Sequence, residues 1–308
     1  MLPVRLPLTA NFHFIKSCNF QCRYCYATFA EIEGRPVLPD DQLLDLARLL
    51  ARRYTKVTLA GGEPTLYPRL ADLLAVIKAE GALTNVVTNG SHIDANWIAQ
   101  HAANLDFLTL SIDSADPATH LRLGRATSSG ATVPVQHYID LADAARAAGV
   151  VVKVNTVVTT LNTGESLSAF IRLLSPQRLK ILQAAPVAGQ NDEYIGALTP
   201  SRADFDAFVE RHQEELAGCG VRIVAEPIEQ IRGSYIMVDP RGRFFDSTAG
   251  THSYSRPILE VGLDSAFAEV DFDPAMFLSR GGDADWRIRQ APNSPTPEAS
   301  PVLAGVQD

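Results

Sequence analysis

Three cysteines stand close together in the run Cys18-Asn-Phe-Gln-Cys22-Arg-Tyr-Cys25, and the prediction of the fold begins from them. This spacing lets three thiolates line one compact loop, and thiolates are the usual ligands of iron–sulfur clusters. The fourth and last cysteine of the 308-residue chain, Cys219, lies alone far down the sequence. A four-iron cluster held by the first three would therefore keep one iron open, and an open iron can bind a ligand and do chemistry on it.

Composition narrows the class of protein. The chain carries 27 basic and 35 acidic residues, a net charge of −8, so a broad nucleic-acid surface is not expected. No apolar run is long enough to span a membrane, and the first residues lack the features of a signal peptide. An oxygen-sensitive cluster and the lack of an even set of disulfide-forming cysteines predict a cytoplasmic protein.

Strand-like and helix-like runs alternate along the first two thirds of the chain. Strands are predicted at residues 11–15, 56–59, 84–87, 107–112, 151–158 and 179–183, and helices at 40–53, 68–80, 94–100, 135–147 and 166–174. Asp40 and Asp94 are predicted to cap the helices that they begin. Such alternation is typical of parallel β/α units.

The pattern changes after about residue 185. A polar segment at residues 189–194 leads to a predicted helix near 202–217, and strand-like pieces follow at 221–224, 235–238 and 243–245. We therefore predict a core over residues 1–185 and a C-terminal α+β extension over 186–289 that closes the binding site. Residues 290–308 are rich in Pro, Ser and Ala and are predicted to be a disordered tail.

The cysteine run resembles the C-x-x-x-C-x-aromatic-C motif of the radical S-adenosylmethionine (SAM) enzymes. The resemblance implies one [4Fe-4S] cluster held by Cys18, Cys22 and Cys25, with SAM bound as a second cofactor to the open iron. Cleavage of SAM by an electron from the cluster would give a 5′-deoxyadenosyl radical. The resemblance also implies an α/β fold, a partial (β/α)6 barrel, which agrees with the six predicted strands.

Polar residues at the ends of the predicted strands match the SAM-binding positions of that superfamily. Gly61-Gly62-Glu63-Pro64 follows the second strand, and its glycines allow close approach of backbone while its carboxylate can receive an ammonium group. Barrel folds place ligands at such strand ends. Each run alone could be ordinary loop polarity; together they imply SAM contacts from Tyr24, Tyr26, Gly61, Gly62, Glu63, Thr88, Asn89, Ser111 and Asp113.

Cationic side chains share faces of two predicted strands. Lys153 and Asn155 are two residues apart on one strand, as are Arg178 and Lys180 on the next, so each pair points to one side. One face of a barrel strand packs on helices and the other faces the lumen, which favours several cations converging on an anion such as a triphosphate. The alternative is that these side chains reach solvent at the strand ends.

Over residues 11–286 the sequence is similar, in consistent order, to the viperin family in its prokaryotic form. The matching residues are Asn11-Phe-His13-Phe, Lys56, Gly61-Gly-Glu-Pro, Val87-Thr-Asn-Gly-Ser, Leu110-Ser-Ile-Asp-Ser, Gly124-Arg125, Lys153-Val-Asn155, Arg178-Leu-Lys180, Ser234-Tyr235 and Arg280-Gly281-Gly282. Viperins bind a nucleoside triphosphate above the cluster, and the radical removes the ribose 4′ hydrogen. The 3′ hydroxyl then leaves as water, which gives a 3′-deoxy-3′,4′-didehydro nucleotide, a chain terminator in antiviral or anti-phage defence.

The resemblance also implies roles for individual residues and partners. Tyr235 would lie near the ribose as a catalytic proton donor, or it is a core tyrosine with a satisfied hydroxyl. The substrate would be CTP, UTP or GTP, the electron donor a flavodoxin or ferredoxin, and the enzyme a monomer without nucleic-acid or membrane partners. The implied substrate contacts are Asn11, His13, Lys56, Arg125, Lys153, Asn155, Arg178, Lys180, Tyr235, Arg280, Gly281 and Gly282.

Two alternatives stay open at this point. One is a different radical SAM enzyme that acts on a nucleotide, such as a cyclase, although that type uses a second cluster that Cys219 alone does not supply. The other is a protein that binds SAM and nucleotide without turnover. The residues around the base match the family least, so the preferred nucleobase is not assigned.

Overall fold

The structure is a computed structural model that describes residues 9–35 and 37–282. The predicted tail at 290–308 lies outside the described residues, as do residues 283–289 of the predicted extension. The strands are β1 Thr9–Ile15, β2 Lys56–Gly61, β3 Leu83–Thr88, β4 Phe107–Ser111, β5 Val151–Val158, β6 Arg178–Gln183, β7 Arg222–Glu226, β8 Ile236–Val238, β9 Arg243–Asp246 and β10 Ser253–Pro257.

Twelve α-helices connect or follow these strands in the described ranges. They are α1 Asp40–Arg53, α2 Leu70–Ala79, α3 Ala95–His101, α4 Pro117–Arg122, α5 Val135–Ala147, α6 Ser168–Leu174, α7 Asp192–Leu198, α8 Arg202–Glu215, α9 Ile228–Ile231, α10 Ile258–Val261, α11 Leu263–Phe267 and α12 Pro274–Ser279. Short 3-10 helices occupy Ala30–Ile32, Pro64–Leu66 and Ala102–Asn104. No helix of this part of the chain combines the length and the apolar character needed to cross a bilayer.

All ten strands join one sheet in the order β10-β9-β8-β1-β2-β3-β4-β5-β6-β7. Strands β1 to β7 pair in parallel with their neighbours, and β8 pairs in parallel with β1. Strands β9 and β10 are antiparallel and form one edge, while β7 forms the other. Within the described residues the two edges do not pair, so the sheet is an open, partial barrel and the predicted α/β fold class is confirmed.

The helices cover the outer face of this sheet because each strand alternates its side chains. On β5, Val152 and Val154 belong to the apolar core, whereas Lys153 and Asn155 line the interior cavity. Leu43, Leu46 and Leu50 of α1 are buried at helical spacing and close the core from outside. The sheet therefore holds a polar interior inside an apolar shell.

Two local predictions had different outcomes. The side chain of Asp94 caps α3 by accepting a bond from the backbone N–H of Trp97 at 2.8 Å, as predicted. The predicted cap at Asp40 is wrong, because Pro39 occupies the N-cap position and Asp40 is the first helical residue. The carboxylate of Asp40 instead accepts hydrogen bonds from Tyr67 at 2.7 Å and Arg69 at 3.1 Å. These bonds take the place of a capping bond to the backbone of its own helix.

Candidate active site

The inner face of the sheet encloses a cavity of about 690 Å³. Binding sites for small molecules usually measure ~300–1,000 Å³, so this cavity has room for a large ligand or two smaller ones. The structure brings the predicted cluster, SAM and substrate residues together on its wall, with Gly281 as the exception among them. Gly281 lies on a separate, open depression beside β7.

The cysteine loop is held by the chain after α4. The backbone N–H of Gln21 donates to Gly124 at 3.1 Å, and that of Arg23 donates to Leu123 at 3.0 Å. Gly124 has a φ of 73°, and a Cβ there would stand 2.2 Å from the Gln21 carbonyl oxygen, so this contact requires glycine. Arg125, which follows, is thereby placed directly behind the loop.

The three cysteines of this loop suit an iron–sulfur cluster. Cys18, Cys22 and Cys25 are free thiols, and all three line the cavity. Burial raises the pKa of Cys18 to about 11 and that of Cys25 to about 12, so the loop holds thiols until a metal displaces their protons. In the described chain no three His, Cys, Asp or Glu side chains converge on a single ion. A cubic cluster gives each thiolate its own iron, which fits three separate thiols around one loop.

The paired glycines after β2 make close backbone contacts with the chain that leads into the cysteine loop. Gly62 donates to the carbonyl of Ile15 at 2.6 Å, and Glu63 donates to that of Ser17 at 2.9 Å. A Cβ would stand 2.2 Å from the Ile15 oxygen at Gly61 and 2.1 Å from the Ser17 oxygen at Gly62. The close approach that these glycines allow is made toward the chain that leads into the cysteines, and the predicted SAM contact of Gly61 and Gly62 stays a prediction.

The carboxylate of Glu63 is buried and fixed on the cavity wall. Its oxygens accept bonds from the hydroxyl of Thr88 at 2.7 Å, the backbone N–H of Asn89 at 2.8 Å and the hydroxyl of Thr65 at 2.7 Å. These bonds hold the charge in one orientation at the ends of β2 and β3. A fixed carboxylate can receive an ammonium group from a ligand in the cavity.

A second fixed group joins Tyr24, Asp113 and Arg125. The hydroxyl of Tyr24 donates to Asp113, whose carboxylate also pairs with Arg125 at 3.1 Å and accepts from the Val157 N–H at 2.7 Å. Arg125 donates as well to the Tyr24 hydroxyl at 3.1 Å and to the carbonyl of Ser111. The structure therefore ties Arg125 to residues expected to surround SAM, while its predicted phosphate contact stays a prediction.

Four cations lie on the interior faces of β2, β5 and β6. Lys56, Lys153, Arg178 and Lys180 are each at most 8% exposed, so the alternative that they reach bulk solvent does not hold. Lys153 pairs in register with Arg178, and Asn155 with Lys180. The ammonium of Lys153 lies 4.3 Å from the ring centre of Phe107, and that of Lys56 lies 5.5 Å from it.

Glu226, at the end of β7, is a site residue that the sequence reasoning missed. Its buried carboxylate accepts from Lys180 at 2.7 Å, from Arg280 at 2.9 Å and from the hydroxyl of Tyr235. Lys180 also donates to the Tyr235 hydroxyl at 2.8 Å, and the Arg280 guanidinium lies 3.9 Å over the Tyr235 ring. An acidic residue ending an apolar strand was the available signal, because a buried charge needs a partner.

Charges in this group shift one another's pKa. Although burial opposes its charge, Lys180 and Arg280 lower the pKa of Glu226 to about 2. Burial, together with repulsion from Arg280 and Arg178, lowers the pKa of Lys180 to about 7 despite the attraction of Glu226. Near neutral pH, Lys180 is therefore easier to deprotonate than an ordinary lysine, while Glu226 stays ionised.

His13 is buried between aromatic rings where β1 lines the cavity. Its ring centre lies 5.7 Å from that of Phe29, 5.5 Å from that of Phe245 and 6.0 Å from that of Tyr26. Burial, reinforced by repulsion from His252, lowers the pKa of His13 to about 3. His13 is therefore a neutral polar group on the cavity wall at physiological pH.

Comparisons with known proteins identify the family. Residues 12–174 match the family profile described as the Radical SAM superfamily, which uses a [4Fe-4S] cluster and SAM. Two solved structures share the fold: SuiB of Streptococcus suis bound to S-adenosylmethionine and anSMEcpe with bound AdoMet. SuiB superposes with a TM-score of 0.60 at 17% identity, covering 78% of this chain and 60% of SuiB. For anSMEcpe the TM-score is 0.59 at 15% identity, with 78% and 74% covered.

Several curated relatives carry the name S-adenosylmethionine-dependent nucleotide dehydratase. That of Flammeovirga pacifica is 35% identical over 285 residues, covering 91% of this chain and 96% of the relative. That of Lacinutrix mariniflava is 38% identical over 287 residues, covering 92% of this chain but 59% of the longer relative. That of Danio rerio, named RSAD2, is 32% identical over 295 residues, covering 92% and 79%. The chain therefore belongs to the radical SAM superfamily and, within it, to the viperin family of S-adenosylmethionine-dependent nucleotide dehydratases.

Proposed function

We propose that this protein dehydrates a ribonucleoside triphosphate to its 3′-deoxy-3′,4′-didehydro analogue, a chain terminator that would serve in antiviral or anti-phage defence. One observation carries the proposal: a single cavity holds three clustered thiols and, on its inner wall, a set of buried cations. The names of the relatives support the same reaction class.

In this proposal the two halves of the cavity have separate tasks. Cys18, Cys22 and Cys25 would hold the cluster, and the fixed carboxylate of Glu63 would receive the ammonium group of SAM. When bound, the cluster and SAM supply a 5′-deoxyadenosyl radical that removes the ribose 4′ hydrogen. An electron carrier of the flavodoxin or ferredoxin class is the proposed source of the electrons.

The triphosphate is proposed to bind Lys153, Arg178 and Lys56. These side chains come from three strands, so they can surround an anion from several sides rather than meet it at one point. All three are nearly buried in the folded protein, and a charge-assisted hydrogen bond to a phosphate oxygen is strong in such surroundings. The nucleobase is proposed to be one of cytosine, uracil or guanine.

The departure of the 3′ hydroxyl as water requires one proton and one further electron. We assign the proton to Tyr235 working with Lys180. The Tyr235 hydroxyl proton, which Glu226 accepts in this structure, moves to the leaving group when substrate is bound, and the Lys180 ammonium, 2.8 Å away, replaces it. The pKa of Lys180, lowered to about 7, suits such a transfer, and the charge of Glu226 holds both groups in place.

The test is anaerobic turnover with the reconstituted protein. SAM, a reductant and each of CTP, UTP, GTP and ATP are supplied separately, and products are identified by mass spectrometry. We expect 5′-deoxyadenosine together with one nucleotide lighter by one water. Production of 5′-deoxyadenosine while every nucleotide returns unchanged would refute the proposed substrate class.

Cysteine variants provide the matched control for that assay. Cys22→Ser should lose the visible absorbance of the cluster and all SAM cleavage. Cys219→Ser should retain both, because Cys219 is exposed and lies outside the cavity lining. Loss of the cluster in Cys219→Ser would contradict the assignment of the three ligands.

A further inference from the structure

The segment that follows the cysteine loop contains a strained residue. Phe29 has a φ of 49° and a ψ of 44°, the left-handed conformation that β-carbon-bearing residues rarely adopt, and its side chain is fully buried. This conformation is unfavourable for a residue that carries a β-carbon. Surrounding contacts must therefore hold the segment in place.

Gln190 supplies hydrogen bonds that hold this segment, residues 26–31, in place. The Gln190 side-chain carbonyl accepts from the backbone N–H of Phe29 at 2.7 Å and from the hydroxyl of Thr28 at 2.9 Å. Its amide donates to the carboxylate of Glu31 at 2.7 Å. Glu31 is fixed in turn by the hydroxyl of Tyr254. One side chain thus bonds to three residues of the segment across 159 to 162 positions of sequence.

Other hydrogen bonds hold the cysteine loop in place. Asn191, the neighbour of Gln190, donates to the carbonyls of Tyr24 at 3.2 Å and Ala185 at 3.1 Å. The backbone pairs with Leu123 and Gly124 hold the loop from the other side. Gln190 therefore acts on the chain after the last cysteine, and the three ligands keep their own supports.

The segment that Gln190 holds contributes to the cavity wall. Tyr26, Thr28 and Gln190 itself line the cavity beside Cys25. Tyr26 is 42% exposed, and its ring meets that of His13 edge-on at 6.0 Å. The position of such a partly exposed ring depends on the backbone that carries it.

We propose that Gln190 is a positioning residue for the SAM-binding end of the cavity. It holds residues 26–31 in the strained conformation that places Tyr26 and Thr28 against the bound cofactor. This inference rests on the proposed function for the location of SAM beside the cysteines. It concerns SAM affinity rather than cluster assembly or the dehydration of the nucleotide.

The main variant is Gln190→Met, which keeps the length of the side chain and removes its hydrogen bonds. SAM affinity is measured anaerobically on the reconstituted protein, and amide hydrogen exchange is measured before reconstitution. We expect SAM binding weaker by about tenfold, as the loss of one or two net hydrogen bonds implies, and faster exchange in residues 26–31. Iron content should equal that of the unmodified protein. Gln136→Met is the matched control, because Gln136 is exposed on α5 and bonds to Asp140 on the same helix.

A rescue variant distinguishes positioning from general damage. In Glu31→Gln combined with Gln190→Glu, the new carboxylate at 190 still accepts from Thr28 and Phe29, and the new amide at 31 donates back to it. We expect this pair to restore SAM affinity and amide protection. Unchanged SAM affinity in Gln190→Met, or a loss of iron equal to the loss of affinity, would overturn the inference. If the unmodified protein cleaves SAM but returns all nucleotides, the proposed function fails while this inference stands.

Discussion

Replacing Glu226 with glutamine removes a buried negative charge from between Lys180 and Arg280 while keeping the size of the side chain. The two cations lower the pKa of this carboxyl group from 4.5 to about 2. That difference corresponds to about 3 kcal/mol of stabilisation of the folded state at neutral pH. Breaking a buried ionic group by removing one partner costs a similar ~3–5 kcal/mol. For a protein of this size we expect the melting temperature to fall by roughly 6 °C.

The assay is urea and thermal unfolding of Glu226→Gln beside Glu229→Gln. Glu229 lies on α9 with a side chain that is 71% exposed and pairs with Arg202 at 3.3 Å, so its variant should unfold like the unmodified protein. Because the folded-state pKa of Glu226 is lowered, its contribution is present above pH 4.5 and is lost as pH falls toward 2. The difference between Glu226→Gln and the unmodified protein should therefore shrink over that range.

Two results would refute this reasoning. One is a melting temperature for Glu226→Gln equal to that of Glu229→Gln at pH 7. The other is a difference in unfolding free energy that stays constant between pH 5 and pH 3. Either result would mean that the ionic group does not hold Arg280, at the end of α12, against β7.

Three further predictions test other parts of the site. Gly62→Ala should lower the unfolding free energy by about 3 kcal/mol and impair cluster loading, because its Cβ would stand 2.1 Å from the Ser17 oxygen. Gly164→Ala is the control and should have neither effect, because the space around Gly164 is open. Lys153→Ala should raise the nucleotide Kd by about 30-fold or more in equilibrium binding while cluster absorbance stays unchanged. Since the pKa of His13 is lowered from 6.5 to about 3, its stabilisation is present above pH 6.5 and lost toward pH 3. Between pH 6.5 and pH 4, the unfolding free energy of the unmodified protein should therefore fall by about 3 kcal/mol more than that of His13→Leu. Urea titrations at each pH measure both values, and parallel pH profiles would contradict this prediction.

The periodic elements were largely predictable from local pattern. The predicted helix at 40–53 and the predicted strand at 151–158 coincide with α1 and β5. Both could be predicted because the spacing of apolar residues along the chain follows the burial pattern of a helix or a strand. The helix α7 was not predicted, since its first turn falls in a polar segment that lacks an apolar stripe. That segment also carries Gln190, whose partners at Thr28 and Phe29 lie far away in sequence.

By itself the sequence predicted the cluster ligands and indicated the family, because the spacing of Cys18, Cys22 and Cys25 confines them to one loop whatever surrounds it. It also determined which strand faces are cationic, since side chains alternate along any strand. The tertiary structure alone decided how those charges are balanced: Lys180 and Arg280 meet Glu226 only when β6, β7 and the end of α12 come together. It likewise revealed that Gly61 and Gly62 admit the backbone of residues 15–17. Covalent spacing acts over a few residues, whereas charge pairing and close backbone contact depend on which distant segments the fold brings within a few ångströms.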